Sequence, residues 1–269
     1  MPFCRNCGNE LDEEAQFCPK CGTPVKNQVM EKQVRARQRS MSPWLIAVIV
    51  IVAVIVLIGI IFIGFLFGGF LPFGRVGSGK IITREEPIND FSAVEVGSGF
   101  NVQVLQASSY RVLITADDNL IDDIQVSKSG NTLQIGLRPF VGFTASSLKA
   151  VIYMPNVDRI QFSGGTIGSA SGFQLPHDLR VELSGGSRLD MIGEANKLIA
   201  SCSGGSRLNF GDFKVNDAEV NLNGGSQGTI RLDGNLNADL SGGSHLNYIG
   251  NPTLNVNKSG GSSISKTSN

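Results

Sequence analysis

The sequence predicts a mainly β fold: a right-handed, single-stranded parallel β-helix of about 18–21 residues per coil, placed behind a small cysteine-rich head and one apolar α-helix. Three observations predict it. A Ser/Asn-Gly-Gly-Ser/Thr word recurs six times through the C-terminal half. Each copy follows a strand-like alternation of apolar and polar residues. An uncharged run of 28 residues, Trp44–Leu71, separates that region from four cysteines near the N-terminus. Composition agrees, with 33 glycines in 269 residues against a usual ~7%. Lys plus Arg and Asp plus Glu balance at 23 each, so no whole-chain field favours nucleic acid.

The head occupies residues 1–25. Cys4, Cys7, Cys18 and Cys21 form two C-x-x-C pairs, each followed by a glycine, Gly8 or Gly22. Two residues between thiolates let both sulfurs face one ion, and two such knuckles close a tetrahedral Zn²⁺ shell. A thioredoxin-like dithiol needs a βαβ setting that 25 residues cannot supply, and a reducing compartment disfavours disulfides. With four protein ligands the Zn²⁺ is expected to be structural and open to no substrate. Phe3, Leu11 and Phe17 are too few to form a core without it. The head resembles the short zinc ribbons at the start of many prokaryotic membrane proteins. Arg5 and Lys20 are outnumbered by Glu10, Asp12, Glu13 and Glu14, a field opposed to phosphate. A protein partner or a purely structural cap is expected here.

Residues 26–43 are a basic juxtamembrane linker, with Lys32, Arg35, Arg37 and Arg39 flanking the apolar run. Residues 44–71 are long enough to span a bilayer, which takes ~20 apolar residues. A cleavable signal peptide has a shorter apolar region nearer the start. Five cations before the run, Lys26 included, face three after it, Arg75, Lys80 and Arg84. The bias puts the N-terminus in the cytoplasm and the C-terminal domain outside, with the linker against anionic lipid. Residues 72–88 read as a second linker. Their GRVGSGKI lacks the Ser or Thr of a phosphate loop and follows no strand.

The β-helix occupies residues 89–269. Its corners pair Gly164 with Gly165, Gly185 with Gly186, Gly204 with Gly205, Gly224 with Gly225, Gly242 with Gly243, and Gly260 with Gly261. A fixed period of this length means stacked coils that bury a shared core. Candidate core residues are Ile160 and Phe162, then Leu179, Val181 and Leu183, then Leu198, Ala200 and Cys202. The same pattern continues through Ala218, Val220 and Leu222, Leu236, Ala238 and Leu240, and Leu254 and Val256. Beyond the glycines, Ile167, Leu189, Leu208, Leu246 and Ile264 are the next inward candidates. Glycine pairs allow the tight corner. The serine hydroxyls around them are expected to bond from coil to coil. Upstream, Phe91, Val94, Val96, Val102, Val104, Val112 and Ile114 continue the core, and GSGF at Gly97 reads as a variant corner. A β-sandwich or propeller is the alternative architecture.

Four stretches, F-x-x-V-x-V-G-S-G-F-N-V at Phe91, A-D-D-N-L at Ala116, V-x-Y-M-P-N-V at Val151 and the S-G-G-S ladder, resemble the auto-transporter adhesin, head GIN domain family. The resemblance covers about residues 91–265. It implies a right-handed β-helix, a modest bias towards binding, and no catalytic residue.

Enzymatic and ion-cradle readings find little support. His177 and His245 hold no fixed place in the repeat, so no serine triad is expected. GGSRLD at Gly185 has Arg188 where a calcium β-roll needs its third glycine. Asp117, Asp118, Asp122 and Asp123 are the one acidic cluster that could serve a polysaccharide-active enzyme, and they read equally as a capped turn. Cys202 is expected to be a buried thiol. The chain therefore reads as a non-enzymatic, single-pass envelope protein presenting a binding, adhesion or structural module to a protein or glycan. The alternatives are a sensor signalling through the ribbon and a polysaccharide-active enzyme.

Overall fold

The computed structural model describes residues 3–12, 15–24, 75–138 and 143–268. Lys32, Arg35, Arg37, Arg39 and the apolar run Trp44–Leu71 lie outside the described residues. Among the described residues no helix is long and apolar enough to cross a membrane. The chain divides into two units, Met1–Leu71 and Pro72–Asn269.

The second unit is a solenoid of short strands, numbered here in chain order. One parallel ladder stacks β7 (Thr132–Leu137), β3 (Ala93–Val96), β10 (Arg159–Phe162), β12 (Leu179–Leu183), the second halves of β13 (Arg188–Cys202) and β14 (Arg207–Leu222), β16 (Asn235–Leu240) and β18 (Thr253–Lys258). A second ladder stacks β9 (Leu148–Met154), β4 (Asn101–Gln106), β11 (Ile167–Leu175), the first halves of β13 and β14, β15 (Gln227–Leu232), β17 (His245–Ile249) and β19 (Ser263–Lys266). Each residue pairs with its counterpart one repeat on, as in Arg159 with Arg180, Leu198 with Ala218 and Ala238 with Val256. This is the β-helix arrangement expected from the period. Eight rungs at a spacing of about 4.8 Å make a stack about 34 Å long.

Chain order and spatial order part company at the first end. The coil of β3 and β4 lies between that of β7 and β9 and that of β10 and β11. After β4 the chain reverses through β5 (Arg111–Asp117) and β6 (Ile124–Ser129), supplies the outermost coil, and only then resumes the regular climb. That outermost coil is covered by antiparallel strands, β6 on β7, β5 on β9, and β2 (Ile81–Glu86) on β5. β1 (Arg75–Val76) pairs with β8 (Phe143–Thr144). Parallel edges therefore do not end bare at this end, a standard guard against edge-to-edge association.

Inside, the alternation produces columns. Ile160, Val181, Ala200, Val220 and Ala238 form one; Phe162, Leu183, Cys202, Leu222 and Leu240 form the next, all buried. Burial of each Leu or Phe contributes about 1.5–3 kcal/mol. The upstream candidates Phe91, Val94, Val96, Val102, Val104, Val112 and Ile114 are buried as expected. Ile167 is not: it is 54% exposed and pairs with Arg188, while Gly168 takes the inward place beside Leu189. Ile167 stands two residues after Gly165, an outward place, and the inward third place is taken by Gly168, where a Cβ would lie 2.2 Å from Cε2 of the Phe162 ring. At the far end Leu254 is 43% exposed, and Lys258 replaces the apolar residue of the column that ends at Leu240.

The glycine pairs are the corners. At Gly204 and Gly205 φ is 64° and 78°, and the other pairs through Gly243 repeat these left-handed values; at the last corner only Gly260 does. Ser98 and Gly99 take 65° and 75°, so GSGF is a seventh corner with a strained serine at the first glycine position. The two positions of a pair are not equivalent. A Cβ on Gly204 would sit 3.1 Å from the backbone N of Gly185 in the coil below, whereas a Cβ on Gly205 meets nothing within 4 Å.

The corner hydroxyls bond from coil to coil at some corners only, and to carbonyls rather than to one another. Ser187, Ser206, Ser226 and Ser244 are wholly buried. They donate to backbone carbonyls, Ser187 to Ser184 O (2.7 Å), Ser206 to Ser203 O (2.6 Å) and Ser226 to Asn223 O (2.7 Å) within their own corners, and Ser244 to Leu222 O (3.0 Å) in the preceding coil, as Ser262 does to Leu240 O (3.0 Å). A tight corner turns its carbonyls inward, and the nearest donor satisfies them.

Candidate metal centre and outer faces

The head is built from two matching knuckles. In each, the glycine after the second cysteine bends the chain back, Gly8 N to Cys4 O (2.8 Å) and Gly22 N to Cys18 O (2.9 Å), with φ of 70° at both glycines. Isolated bridges Phe3–Glu10 and Phe17–Pro24 close the knuckles. Both phenylalanines are exposed, and only Leu11 joins the cysteines in the interior.

All four sulfurs lie within 4.8 Å of one another, with Cys4–Cys21 at 3.5 Å and Cys7–Cys18 at 3.6 Å. A tetrahedron of Zn–S bonds near 2.3 Å has edges of about 3.8 Å. The donor set and its spacing thus fit one tetrahedral ion, and among the described residues this is the one such cluster. The Thr23 hydroxyl and backbone N–H bring Cys21 down to about 6. The Asn9 N–H pulls Cys7 down, but the neighbouring sulfurs outweigh it and push that thiol up to about 12.

The acidic cluster serves the fold. Asp117 is wholly buried and accepts the N–H groups of Gly79 and Ser146, each at 2.8 Å. Burial raises its carboxyl, and those N–H donors more than compensate, so it titrates below the ordinary value. Asp118 accepts the Ser78 hydroxyl (2.6 Å) and pairs with Lys80, and both hold it low as well. Asp122 and Asp123 pair with Arg84 and Arg75. Each of the four carboxylates thus has a backbone or cationic partner.

Neither histidine completes a triad with a corner serine. His177 bonds Asn156, and His245 bonds Ser263 and Asn247 on an exposed face. Burial pushes the Cys202 thiol up to about 12, consistent with a small hydrophobe.

The outer faces are polar and regular. One column carries Glu182, Ser201, Asn221, Asp239 and Asn257 on the first ladder; another carries Asp190, Asn209, Thr229, Asn247 and Ser265 on the second. A shallow cavity of about 380 Å³ is lined by Ile199, Ser201, Glu219, Asn221, Asn237 and Asp239. A neighbouring one of about 240 Å³ shares Asn221 and Asp239 and extends to Asn257 and Ser259.

Residues 90–252 match the family model described as "Putative auto-transporter adhesin, head GIN domain". That stretch is more than half of the 269-residue chain. The chain belongs to this family. Residues 3–25 match a zinc-ribbon domain, so the head GIN domain stands here behind a ribbon. No curated protein matches the chain. The fold is shared with a putative adhesin from Bacteroides fragilis (20% identity, TM-score 0.59, covering 72% of this chain and 100% of that one). A putative adhesin from Parabacteroides merdae (15%, TM-score 0.43, 72% and 99%) and a putative lipid binding protein from Parabacteroides distasonis (17%, TM-score 0.45, 71% and 98%) are more distant.

Proposed function

We propose that this head GIN protein is a single-pass cell-envelope protein that presents its β-helix, wound right-handed, outside the membrane as a non-enzymatic binding or adhesion module. Its partner there is a protein or glycan. The observation that carries the reading is the outer surface: long, flat ladders of Asn, Ser, Thr and Asp, with shallow cavities and the acidic cluster already engaged. Extended faces suit extended partners. Trp44–Leu71 supplies the anchor and the basic residues before it the orientation.

The ribbon is its cytoplasmic head, held by one structural Zn²⁺ on Cys4, Cys7, Cys18 and Cys21. Its surface charge offers nothing to phosphate, so a protein contact or a cap is its role.

A tag placed after Asn269 tests the topology. Protease added to intact cells should remove it, and protection until the cells are opened would overturn the arrangement. Retention on purified envelope glycans or surface proteins, reduced at least tenfold by Asn221→Lys together with Asp239→Lys, tests the binding face. Unchanged retention would remove the first ladder from the reading.

A further inference from the structure

The stretch that follows the apolar run does not act as a loose linker from Arg75 onward. It is clamped. Asn119 donates to Val76 O (2.9 Å) and accepts the Ser78 N–H (3.0 Å), Asp117 takes the Gly79 N–H, and Asp118 N–H donates to Lys80 O (2.9 Å). Arg75 pairs with Asp123. A Cβ at Gly77 would lie 2.4 Å from the Asp117 carboxyl carbon, so the chain passes directly over that buried carboxylate. The A-D-D-N-L stretch singled out in the sequence is thus a mooring for residues 75–80.

The mooring leaves three large apolar side chains in solvent: Val76 is 71% exposed, Ile81 43% and Ile82 36%. They sit at the covered end of the stack, on β1 and on β2, its outermost antiparallel strand. Only Pro72–Gly74 lie between Leu71 and β1, a reach of at most about 14 Å from Leu71 to Arg75. The cations on and beside β1, β2 and β5 are paired, Arg75 with Asp123, Lys80 with Asp118, Arg84 with Glu86 and Arg111 with Glu85.

Resting on the membrane-anchored reading above, we propose that this end of the β-helix is a lipid-contacting edge: Val76 and, from the two opposite sides of the edge strand β2, Ile81 and Ile82 enter the headgroup boundary. The contact is apolar, so it needs no anionic lipid and does not weaken with salt. It holds the first coil against the bilayer and leaves the last coil about 34 Å along the stack.

The test uses the full chain in phosphatidylcholine vesicles, with Trp44→Phe removing the one native tryptophan. Single tryptophans are placed by Ile82→Trp and, as a control of similar exposure on the last coil, Leu254→Trp. Brominated phosphatidylcholine should quench Ile82→Trp at least twofold, equally at low and high salt, and leave Leu254→Trp unchanged. Equal quenching of the two in protein that survives an alkaline wash would overturn the lipid face while leaving the anchor intact. Release of the protein by the wash would overturn the anchor and this proposal with it. Crosslinking between copies through Val76→Cys, without quenching at Ile82→Trp, would give the patch to a second copy and equally overturn the proposal.

Discussion

Gly204→Ala and Gly205→Ala form a matched pair, because both glycines hold left-handed φ and only one is pressed against its neighbour. The conformation alone costs an L-residue about 1–2 kcal/mol, partly offset by about 0.4–1 kcal/mol from a stiffer unfolded chain. Gly205→Ala stops there, since its Cβ meets nothing within 4 Å. Gly204→Ala adds a Cβ 3.1 Å from Gly185 N and 3.5 Å from Gly185 Cα. Those are backbone atoms of a corner fixed by the coil beneath, so they cannot swing aside as a side chain would. Overpacking of this kind costs a further 1–3 kcal/mol or so. Urea unfolding of each variant in the same detergent, followed by far-UV circular dichroism, should place Gly204→Ala roughly 1–3 kcal/mol below Gly205→Ala. Equal losses, or a larger loss at Gly205, would refute the idea that the first glycine sets the coil-to-coil approach.

Three further outcomes follow from the packing and the mooring. Ser206→Ala should cost about 1 kcal/mol or less in the same assay, because Ser203 O keeps the backbone donor Ser206 N at 3.3 Å when the hydroxyl is lost. Gly168→Ala should destabilise the first coils through the Phe162 ring, and Phe162→Leu in the same chain should recover part of the loss; absence of rescue would place the strain elsewhere. Asp117 titrates below its ordinary 3.8, so its ionised form stabilises the fold at neutral pH, and that contribution is lost as pH falls through the depressed folded value. The melting temperature of Asp117→Asn should therefore lie below that of the native chain at pH 7 and converge with it below pH 3.8, where a constant gap would contradict the assignment.

What could be read from sequence was whatever repeats locally. Alternation named the buried columns, and Gly-Gly named the corners, because each depends on residues within a few positions. The same rule explains the errors. Ile167 looked inward because it is apolar and follows a glycine pair, yet it falls two residues after Gly165, whereas Leu189 falls three after Gly186. The inward turn of the hydroxyls depends on which carbonyls the corner buries, and residue type alone does not reveal that. The spatial order of the first coils was hidden because antiparallel pairs such as Arg111 with Tyr153 and Gln125 with Gly136 follow no period. At the head the reverse holds: metal-ligand spacing is local, and the four cysteines that the sequence named are the four the fold brings together.

The acidic cluster shows why a motif's type does not give its use. Asp117, Asp118 and Asn119 find their partners at Val76–Lys80, about forty residues earlier, across an antiparallel pairing that no repeat announces. Once those contacts are counted, the cluster has little left to offer a substrate, and its position explains something else. In a solenoid, inward columns and corners are committed to stacking, and the first end is committed to closure. Only the outward columns can vary without cost to the coil, so on the binding reading proposed above partner specificity resides there. Ser201, Asn221, Asp239 and Asn257 occupy successive rungs of one such column, at a spacing set by the backbone rather than by any ligand. On that proposed reading, a partner that spans several rungs carries its own repeat matched to the ~4.8 Å spacing or a multiple of it, and one that does not reads only one or two rungs.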